Sequence, residues 1–375
     1  MSNGTTQRRA RAASEQGLSL VELLVAMTIG LLLITGMIAV FSGNQRSSEL
    51  NSAMTDMQES ARFAIEAIAR DARMAGFQGC IDVAAGAAIV RGNDAPTNDL
   101  FNSIATGSVV TAADTWQPDP PIGFTIPTGD LAPITGTHTL SLQFGSPLVS
   151  TLSSAMDDPV APAAAAIPIA DNPGGIRAGD LAIISNCDIA DLFRVTTAPD
   201  SAGLITHAAA DNGNNANLSR AYGTTTTLQN TRVMKFHANI YYIGITGEVN
   251  DYGDPVTALY QQSLPYTANN PPTQLIQGVE NMRIRFGTRE SNGNLRYFNA
   301  NAAGFDPGAV EAIQVGLLMN SWSRIRQEDD TRTYVLAGQE VPPHPSKVVG
   351  NGFMHPGDKR YRLAFNTTVK IRNKR

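Results

Sequence analysis

The hydrophobic pattern of the chain predicts one long helix near the N-terminus. Residues 23–41 are 19 positions without a charged side chain, and as a helix they would span roughly 28 Å, enough to cross a membrane. Beyond Phe41, apolar residues recur every three or four positions as far as Ala75, and charged residues occupy the other faces. We therefore predict a helix over residues 18–75 with Gly76 as its C-cap. Its second half would pack on a globular head or, alternatively, pair in a coiled coil.

The later part of the chain has the pattern of β-strands. Strands are predicted over residues 180–185, 191–196, 234–243, 279–286, 315–319 and 361–371. The first two flank Cys187 like a hairpin, and Met282, Ile284 and Phe286 share one face of the fourth. The fold class that follows is α+β, in which a long N-terminal α-helix packs on an antiparallel β-sheet.

Residues 82–175 have a different composition from the rest of the chain. They are rich in Ala, Pro, Gly, Thr and Asp, and residues 161–170 are almost of low complexity. We interpret this segment as a loop-rich elaboration of the head, with short strands, and not as a linker between two domains.

The chain has a low content of charge and an acidic balance. Charged residues make up 16% of the sequence, and the formal net charge is −5. Removal of residues 1–17 would leave 25 basic and 32 acidic residues, a net charge of −7. Because nucleic-acid-binding proteins are typically basic, no nucleic acid is expected as a partner. The C-terminal residues Lys359 to Arg375 are locally basic, which we interpret as a solvated strand face and tail.

A basic leader precedes the apolar run, and a single carboxylate lies at the start of the run. Arg8, Arg9 and Arg11 precede Gly17, and Glu22 follows five residues after that glycine. A charged Glu in a membrane helix costs roughly 2–4 kcal/mol near the bilayer centre. Glu22 would either pair with the freed N-terminal amine of a neighbouring subunit or extend to the lipid headgroups. A secretory signal would be cut at small residues after the apolar run, and residues 38–43 match that pattern poorly, so a retained helix is predicted.

The sequence from Gly17 to Glu22 resembles the leader of the prepilin family. The resemblance implies that a prepilin peptidase cleaves between Gly17 and Leu18 and methylates the new N-terminus at Leu18, where the family most often has Phe. The implied division of the chain is a leader at 1–17, a transmembrane and assembly helix at 18–76, and a β-rich head at 77–375.

Distal segments narrow the resemblance to the PilW minor pilins. Residues 275–286, 310–320 and 367–373 look like the C-terminal core of that group, and residues 69–80 are similar to its helix exit. The resemblance implies a minor pilin held in the inner membrane with its head in the periplasm, and later found in the pilus at the cell surface. The implied partners are other minor pilins, the major pilin, a tip adhesin, the prepilin peptidase and the inner-membrane assembly platform, in a complex that primes pilus assembly and supports twitching motility.

Two other readings of the function stay open. A minor pseudopilin of type II secretion shares the leader and the helix. A membrane-tethered adhesin or binding protein would use the loops of residues 82–270 and would never enter a filament.

The chain has two cysteines, Cys80 and Cys187, and few candidates for chemistry. In an oxidising compartment the two would pair, closing a loop of about a hundred residues and stabilising the fold by about 3–5 kcal/mol; the alternative is two buried thiols. The sequence lacks HExxH, GxSxG, P-loop and cysteine-cluster motifs, so we predict neither an enzyme nor a cofactor. Residues 211–217 and 250–254 are rich in oxygen ligands and would suit Ca²⁺, but polar turns have the same composition.

Overall fold

The structure is a computed structural model of the chain. It describes residues 19–79, 88–90, 92, 104–109, 116–117, 131–157, 162–223, 230–263, 270–299, 302, 305, 309–348 and 352–372. Two compact units are present, residues 1–52 and residues 53–375, and each is described by itself.

One α-helix, α1, runs over Leu20–Met74. The helix ends because Gly76 adopts a left-handed conformation, with φ of +78°, and its main-chain N–H donates to the carbonyl oxygen of Gln143. This confirms the predicted C-cap. The hydroxyl groups of Thr28 and Thr35, in the apolar segment, donate hydrogen bonds to main-chain carbonyl oxygens one turn earlier in the helix. The segment therefore presents little polar surface.

Seventeen strands follow α1 within the described ranges. They are β1 Ala88–Val90, β2 Ile104–Val109, β3 Trp116–Gln117, β4 His138–Thr151, β5 Ile167–Ile169, β6 Leu181–Asn186, β7 Ile189–Arg194, β8 Gly203–Ile205, β9 Arg232–Val249, β10 Pro255–Ser263, β11 Thr273–Gln277, β12 Val279–Arg289, β13 Leu295–Phe298, β14 Val310–Asn320, β15 Tyr334–Leu336, β16 Gln339–Val341 and β17 Arg362–Lys370. The predicted strands correspond to β6, β7, β9, β12, β14 and β17, and β6 and β7 form the predicted hairpin.

Most described strands belong to two sheets. Nine strands form the larger sheet, in the order β1-β7-β6-β9-β4-β2-β3, and β10 and β11 extend it from the second half of β9. The smaller sheet has the order β13-β12-β14-β17 and is antiparallel throughout. β4 is longer than the short strands that we predict within residues 82–175. It pairs with both β2 and β9 near the centre of the larger sheet.

The main core lies between the second half of α1 and both sheets. The helix contributes Met57, Ile68 and four alanines, and Ala75 follows directly after it. The alternating faces of β12, β14 and β17 contribute Met282, Ile284, Phe286 and their neighbours. Since alanine has almost no side chain, the helix axis approaches the sheets closely along this stripe. The architecture is α+β, a long N-terminal helix packed on antiparallel β-sheets, as predicted.

A second core is separate from the helix. Apolar residues of β5, β6, β7 and β8, together with the start of β9, surround Phe193 and Tyr222. The β15–β16 hairpin covers the opposite face of the smaller sheet, over Gly316 and Leu318.

Candidate functional site

The apolar segment at the start of α1 is exposed along its whole length. Its described side chains from Leu20 to Phe41 include fifteen large hydrophobic residues that are all more than half exposed. A helix this long and this apolar has the length and composition to cross a membrane. Because soluble proteins rarely leave so large an apolar surface uncovered, the segment indicates membrane anchoring or contact with other apolar helices.

Glu22 lies at the first turn of α1 and closes the N-terminus of the helix. Its Oε2 atom accepts a hydrogen bond from the main-chain N–H of Ser19 at 3.2 Å, and the Ser19 hydroxyl oxygen accepts one from Val21 N–H at 3.3 Å. This Ser-x-x-Glu arrangement is a capping box. The carboxylate also faces the positive end of the helix dipole. The side chain is exposed and therefore available to a second molecule. The neighbouring Gly17 and Leu18 lie outside the described residues, and so does the predicted cleavage.

Asp71 joins the second half of α1 to the larger sheet. Its buried Oδ2 atom accepts hydrogen bonds from Asn239 Nδ2 and from the Tyr241 hydroxyl, each at 2.6 Å. Burial, together with the Asp71 carboxylate, raises the pKa of Tyr241, so that this hydroxyl stays protonated and donates. Gln261 and Ser263 of β10 extend the network on the far side. The network fixes the register of the helix on β9, since a shift by one residue would leave a buried carboxylate without donors.

A cluster of buried ion pairs joins β12 to β17. Arg362 is fully buried and binds Glu280 through both carboxylate oxygens, at 2.6 and 3.2 Å, and Asp358 at 2.7 Å. Arg360 binds Asp358 at 2.8 Å and contacts Glu280 at 3.4 Å. Glu280 is the additional residue at a β-bulge, where β12 changes register against β14 between Val279 and Asn281.

The charges of this cluster shift the pKa values of its carboxylates. Burial raises the pKa of Glu280, but Arg362 and Arg360 outweigh burial and hold the pKa below its ordinary value. Asp330 extends the cluster and binds Arg332 at 2.9 Å and the Tyr334 hydroxyl at 2.7 Å. Burial also opposes ionisation of Asp330, yet these two partners lower its pKa to about 2. Burial raises the pKa of Asp358 too, but Arg362 and Arg360 hold it below its ordinary value, so all three carboxylates of the cluster are ionised at neutral pH.

The interpretation of the basic C-terminus as a solvated face is wrong for Arg360 and Arg362. Both lie in the buried cluster, because Arg362 binds Glu280 and Arg360 binds Asp358 instead of water. Lys370 and Arg372 are exposed, as expected, and residues 373–375 lie outside the described residues.

The other candidate side chains have structural roles where they are described. Both ring nitrogens of His207 bind main-chain oxygens, of Ala216 and Ala165. In the oxygen-rich turns, Asn212 binds the main chain of Arg194, and Asp254 binds Arg324 at 3.0 Å. Among the described residues, no three His, Cys, Asp or Glu side chains are grouped as metal ligands.

Cys80 lies outside the described residues, so its pairing with Cys187 stays a prediction. Residues shortly before Cys80 contact residues shortly before Cys187 in space. The Ser185 hydroxyl donates to the carbonyl oxygen of Gln78 at 2.9 Å. A side chain at Gly79 would also clash with Ser185.

Sequence reasoning placed Glu22 at the helix start but missed Asp71, Glu280 and the burial of Arg362. Asp71 has a visible signal, since it lies three residues after Ile68, on the apolar stripe. The ion cluster has no such signal in the sequence, because Glu280 and Arg362 are 82 residues apart.

Two family models match the chain. Residues 240–373 match the model of PilW, the type IV pilus-assembly protein W, and residues 13–38 match the prokaryotic N-terminal methylation motif. No curated protein and no solved structure matches. Both matches are consistent with a PilW-like type IV pilin, and they confirm the resemblance drawn from the sequence. They support a minor pilin of type IV pilus assembly that is anchored in a membrane and associated with the pilus machinery.

Proposed function

We propose that the chain is a prepilin that is cut between Gly17 and Leu18 by a prepilin peptidase and N-methylated at Leu18. The mature protein then joins other minor pilins in a complex that primes type IV pilus assembly and stays at the tip, in contact with the major pilin and a tip adhesin. In this role it supports pilus biogenesis and twitching motility. Residues 1–17, 18–76 and 77–375 act as leader, assembly helix and head.

The exposed apolar segment from Leu20 to Phe41 is the observation that carries this proposal. In the inner membrane these side chains face lipid, and the head lies in the periplasm. In a filament the same side chains face the helices of neighbouring pilins, so both environments remove them from water. Transfer from the membrane to the filament therefore requires little hydrophobic free energy, which suits a subunit that an assembly platform extracts from the bilayer.

Glu22 has a second role in this proposal besides capping. In the proposed mature chain, Leu18 carries the terminal amine and directly precedes Ser19, whose N–H Glu22 binds. In a bundle of such helices, the carboxylate of one subunit pairs with the terminal amine of the next. The pair removes the cost of two separately buried charges and sets the axial position of the incoming subunit.

Replacement of Glu22 by Gln separates the two roles. A glutamine still accepts the Ser19 N–H and preserves the capping box, but it cannot neutralise an amine. We expect Glu22→Gln and Glu22→Ala to be processed normally and to reduce the number of surface pili to a similar extent. The exposed Glu49→Gln is the matched control on the same helix and should leave the pilus number unchanged. Normal piliation in Glu22→Gln would rule out the charge-pairing role.

The cleavage itself is tested by the N-terminal residue and intact mass of the membrane-extracted protein. We expect a chain that starts at N-methylated Leu18, and only in cells that contain the prepilin peptidase. A chain that retains residues 1–17 in both strains would overturn the prepilin assignment.

The match to PilW favours a pilus over a type II secretion system. A deletion strain should lose twitching motility and keep the secretion of type II substrates. The tethered-adhesin alternative predicts instead that the protein is absent from sheared pili and does not associate with other minor pilins.

A further inference from the structure

β17 forms one edge of the smaller sheet, and part of its main chain is unpaired. The register on β14 is fixed at both ends of the strand, because Ser321 N–H donates to the carbonyl oxygen of Tyr361 and Ile371 N–H donates to that of Glu311, both at 2.9 Å. The direction of the main-chain groups alternates along an antiparallel strand. The odd-numbered residues of β17 therefore bond to β14, and the main-chain groups of the even-numbered residues face outward.

Four of these outward-facing residues have no main-chain partner within the part of the chain that the structure describes. They are Ala364, Asn366, Thr368 and Lys370, and all four are exposed. Each presents one N–H donor and one C=O acceptor, so together they offer a row of hydrogen-bonding groups with the spacing of a strand. We refer to these groups as the outer edge of β17.

The sequence of β17 does little to protect this edge. Natural proteins commonly keep exposed edge strands short, or place proline or charged residues within them. β13, at the other edge of the same sheet, has 4 residues, whereas β17 has 9. Residues 363–369 contain neither a proline nor a charged residue. An unpaired edge of this length is suited to accept an additional strand from another chain.

Apolar side chains border the outer edge on both faces of the sheet. On the face of the main core, Leu363 and Phe365 are only partly buried. On the opposite face, Val335 of β15 is 50% exposed, and its carbonyl oxygen accepts a hydrogen bond from Asn366 Nδ2 at 3.1 Å. Because successive side chains of a strand point to opposite faces, an added strand would extend both apolar borders.

The charges at the two ends of β17 indicate which kind of segment fits. Lys359 precedes the strand, and Lys370 and Arg372 lie at its C-terminal end. All three are exposed, and none forms an ion pair with a described carboxylate. Glu311, which interacts electrostatically with Lys370, is already bound by Arg289 at 2.6 Å. A partner segment with carboxylates at its ends would complement these cations.

A second copy of the chain fits this edge poorly. Two β17 strands that paired antiparallel about Asn366 would place Arg372 of each copy opposite Arg360 and next to Lys359 of the other. Like charges that lie opposite each other in a sheet are destabilising. The charges therefore favour a different polypeptide over self-association.

We propose that the outer edge of β17 binds an extended, acidic-ended segment of another protein as an added antiparallel strand. The main chain of this segment forms hydrogen bonds with the four outward-facing residues, as in other cases of β-augmentation. Its alternate apolar side chains pack beside Phe365, and the carboxylates at its ends lie near Lys359 and Arg372. Antiparallel pairing continues the pattern of the smaller sheet.

A designed peptide tests the proposal on the full-length protein in detergent. The probe is a fluorescent peptide of alternating Val and Thr with Asp at both ends, and fluorescence anisotropy measures its binding. We expect saturable binding of this peptide. Two control peptides should bind at least tenfold more weakly: one has Lys at both ends, and the other has Pro at every second position and cannot donate to the edge.

Two substitutions of Thr368 separate the outer edge from the rest of the strand. Thr368→Pro removes an outward N–H but no hydrogen bond to β14, so we expect it to fold and to bind the acidic peptide at least tenfold more weakly. Thr368→Val keeps the N–H and should bind like the wild type. The double variant Lys370→Glu with Arg372→Glu should transfer the preference to the Lys-ended peptide, which a general loss of structure would not do. Circular dichroism confirms that each variant is folded.

Hydrogen exchange resolved to single residues gives an independent readout. In the free protein, the N–H groups of Asn366 and Thr368 should exchange faster than that of Thr367, which bonds to β14. The acidic peptide should protect Asn366 and Thr368 selectively.

Three results would overturn the proposal. They are the absence of acidic-peptide binding at concentrations up to the order of 1 mM, equal binding of the Asp-ended and Lys-ended peptides, and equal binding by folded Thr368→Pro and Thr368→Val. Protection of Asn366 and Thr368 without peptide that increases with protein concentration, together with a dimer in size-exclusion chromatography, would also overturn it and assign the edge to a second copy. None of these results depends on cleavage or piliation.

Discussion

Replacing Arg362 by Ala tests whether the buried ion cluster holds β17 to the smaller sheet. The guanidinium is fully buried and binds two carboxylates, those of Glu280 and Asp358. Its removal leaves these carboxylates in the interior with only Arg360 as a close cation. Loss of one partner from a buried ion pair typically costs 3–5 kcal/mol, so we expect the free energy of unfolding to fall by about that amount.

The size of this effect can be converted into a melting temperature. At about 2.1 cal/mol/K per residue, the unit of residues 53–375 has an unfolding entropy of roughly 0.7 kcal/mol/K. A loss of about 3–5 kcal/mol then lowers the midpoint by roughly 4–7 °C. Circular dichroism melting and urea unfolding of the detergent-extracted protein measure it. The exposed Arg372→Ala, two residues beyond β17, is the matched control and should stay within about 0.5 kcal/mol of the wild type.

A double variant separates the loss of the charge balance from the loss of packing. Glu280→Gln combined with Arg362→Met removes one charge of each sign and leaves Arg360 paired with Asp358. We expect this protein to regain most of the stability that Glu280→Gln or Arg362→Met loses alone, since neutral groups of similar size have a much smaller desolvation cost than unpaired charges. A loss below about 1 kcal/mol in Arg362→Ala, or a double variant no more stable than the single ones, would refute the reasoning.

Three further predictions follow from single contacts. Asp71→Ala should cost about 1–3 kcal/mol, because two buried donors on β9 lose their acceptor; urea unfolding against the exposed Asp56→Ala measures this, and equal midpoints would contradict it. Gly278→Ala should lower the melting temperature more than Gly293→Ala. Both have positive φ, but only at Gly278 would the new Cβ lie 3.1 Å from a main-chain oxygen, and equal losses would exclude this steric contribution. The lowered pKa of Asp330 stabilises the fold above about pH 4, and this contribution should be lost as the pH falls towards about 2; a Tm that is constant over that range would contradict it.

The elements with one buried face could be predicted from the sequence. In α1 the stripe that includes Met57, Ile68 and Ala72 repeats every three or four residues, because only that face packs on the sheets. In β12 and β17, alternation placed Phe286 and Val369 correctly in the core. When only one face of an element is buried, apolar residues recur at a regular spacing in the sequence. That spacing is sufficient to place the element.

A buried ion pair gives no such regular spacing in the sequence. The pattern of β17 shows that Arg362 lies on the face opposite Val369, but it does not show that Glu280 occupies the same interior. β4 illustrates a further case, because a 14-residue strand inside a segment rich in Ala, Pro and Gly is stabilised by its partners on both sides.

The extent of the family match agrees with the division of the core. The match to PilW begins at residue 240, within β9. It includes β10, β12, β14 and β17, which pack on the buried half of α1, but not Leu140 and Leu142 of β4, which belong to the same core. The second core, around Phe193, lies before that boundary and does not include the helix. Most of the described core beneath the helix thus lies within the matched region, whereas the second core lies outside it.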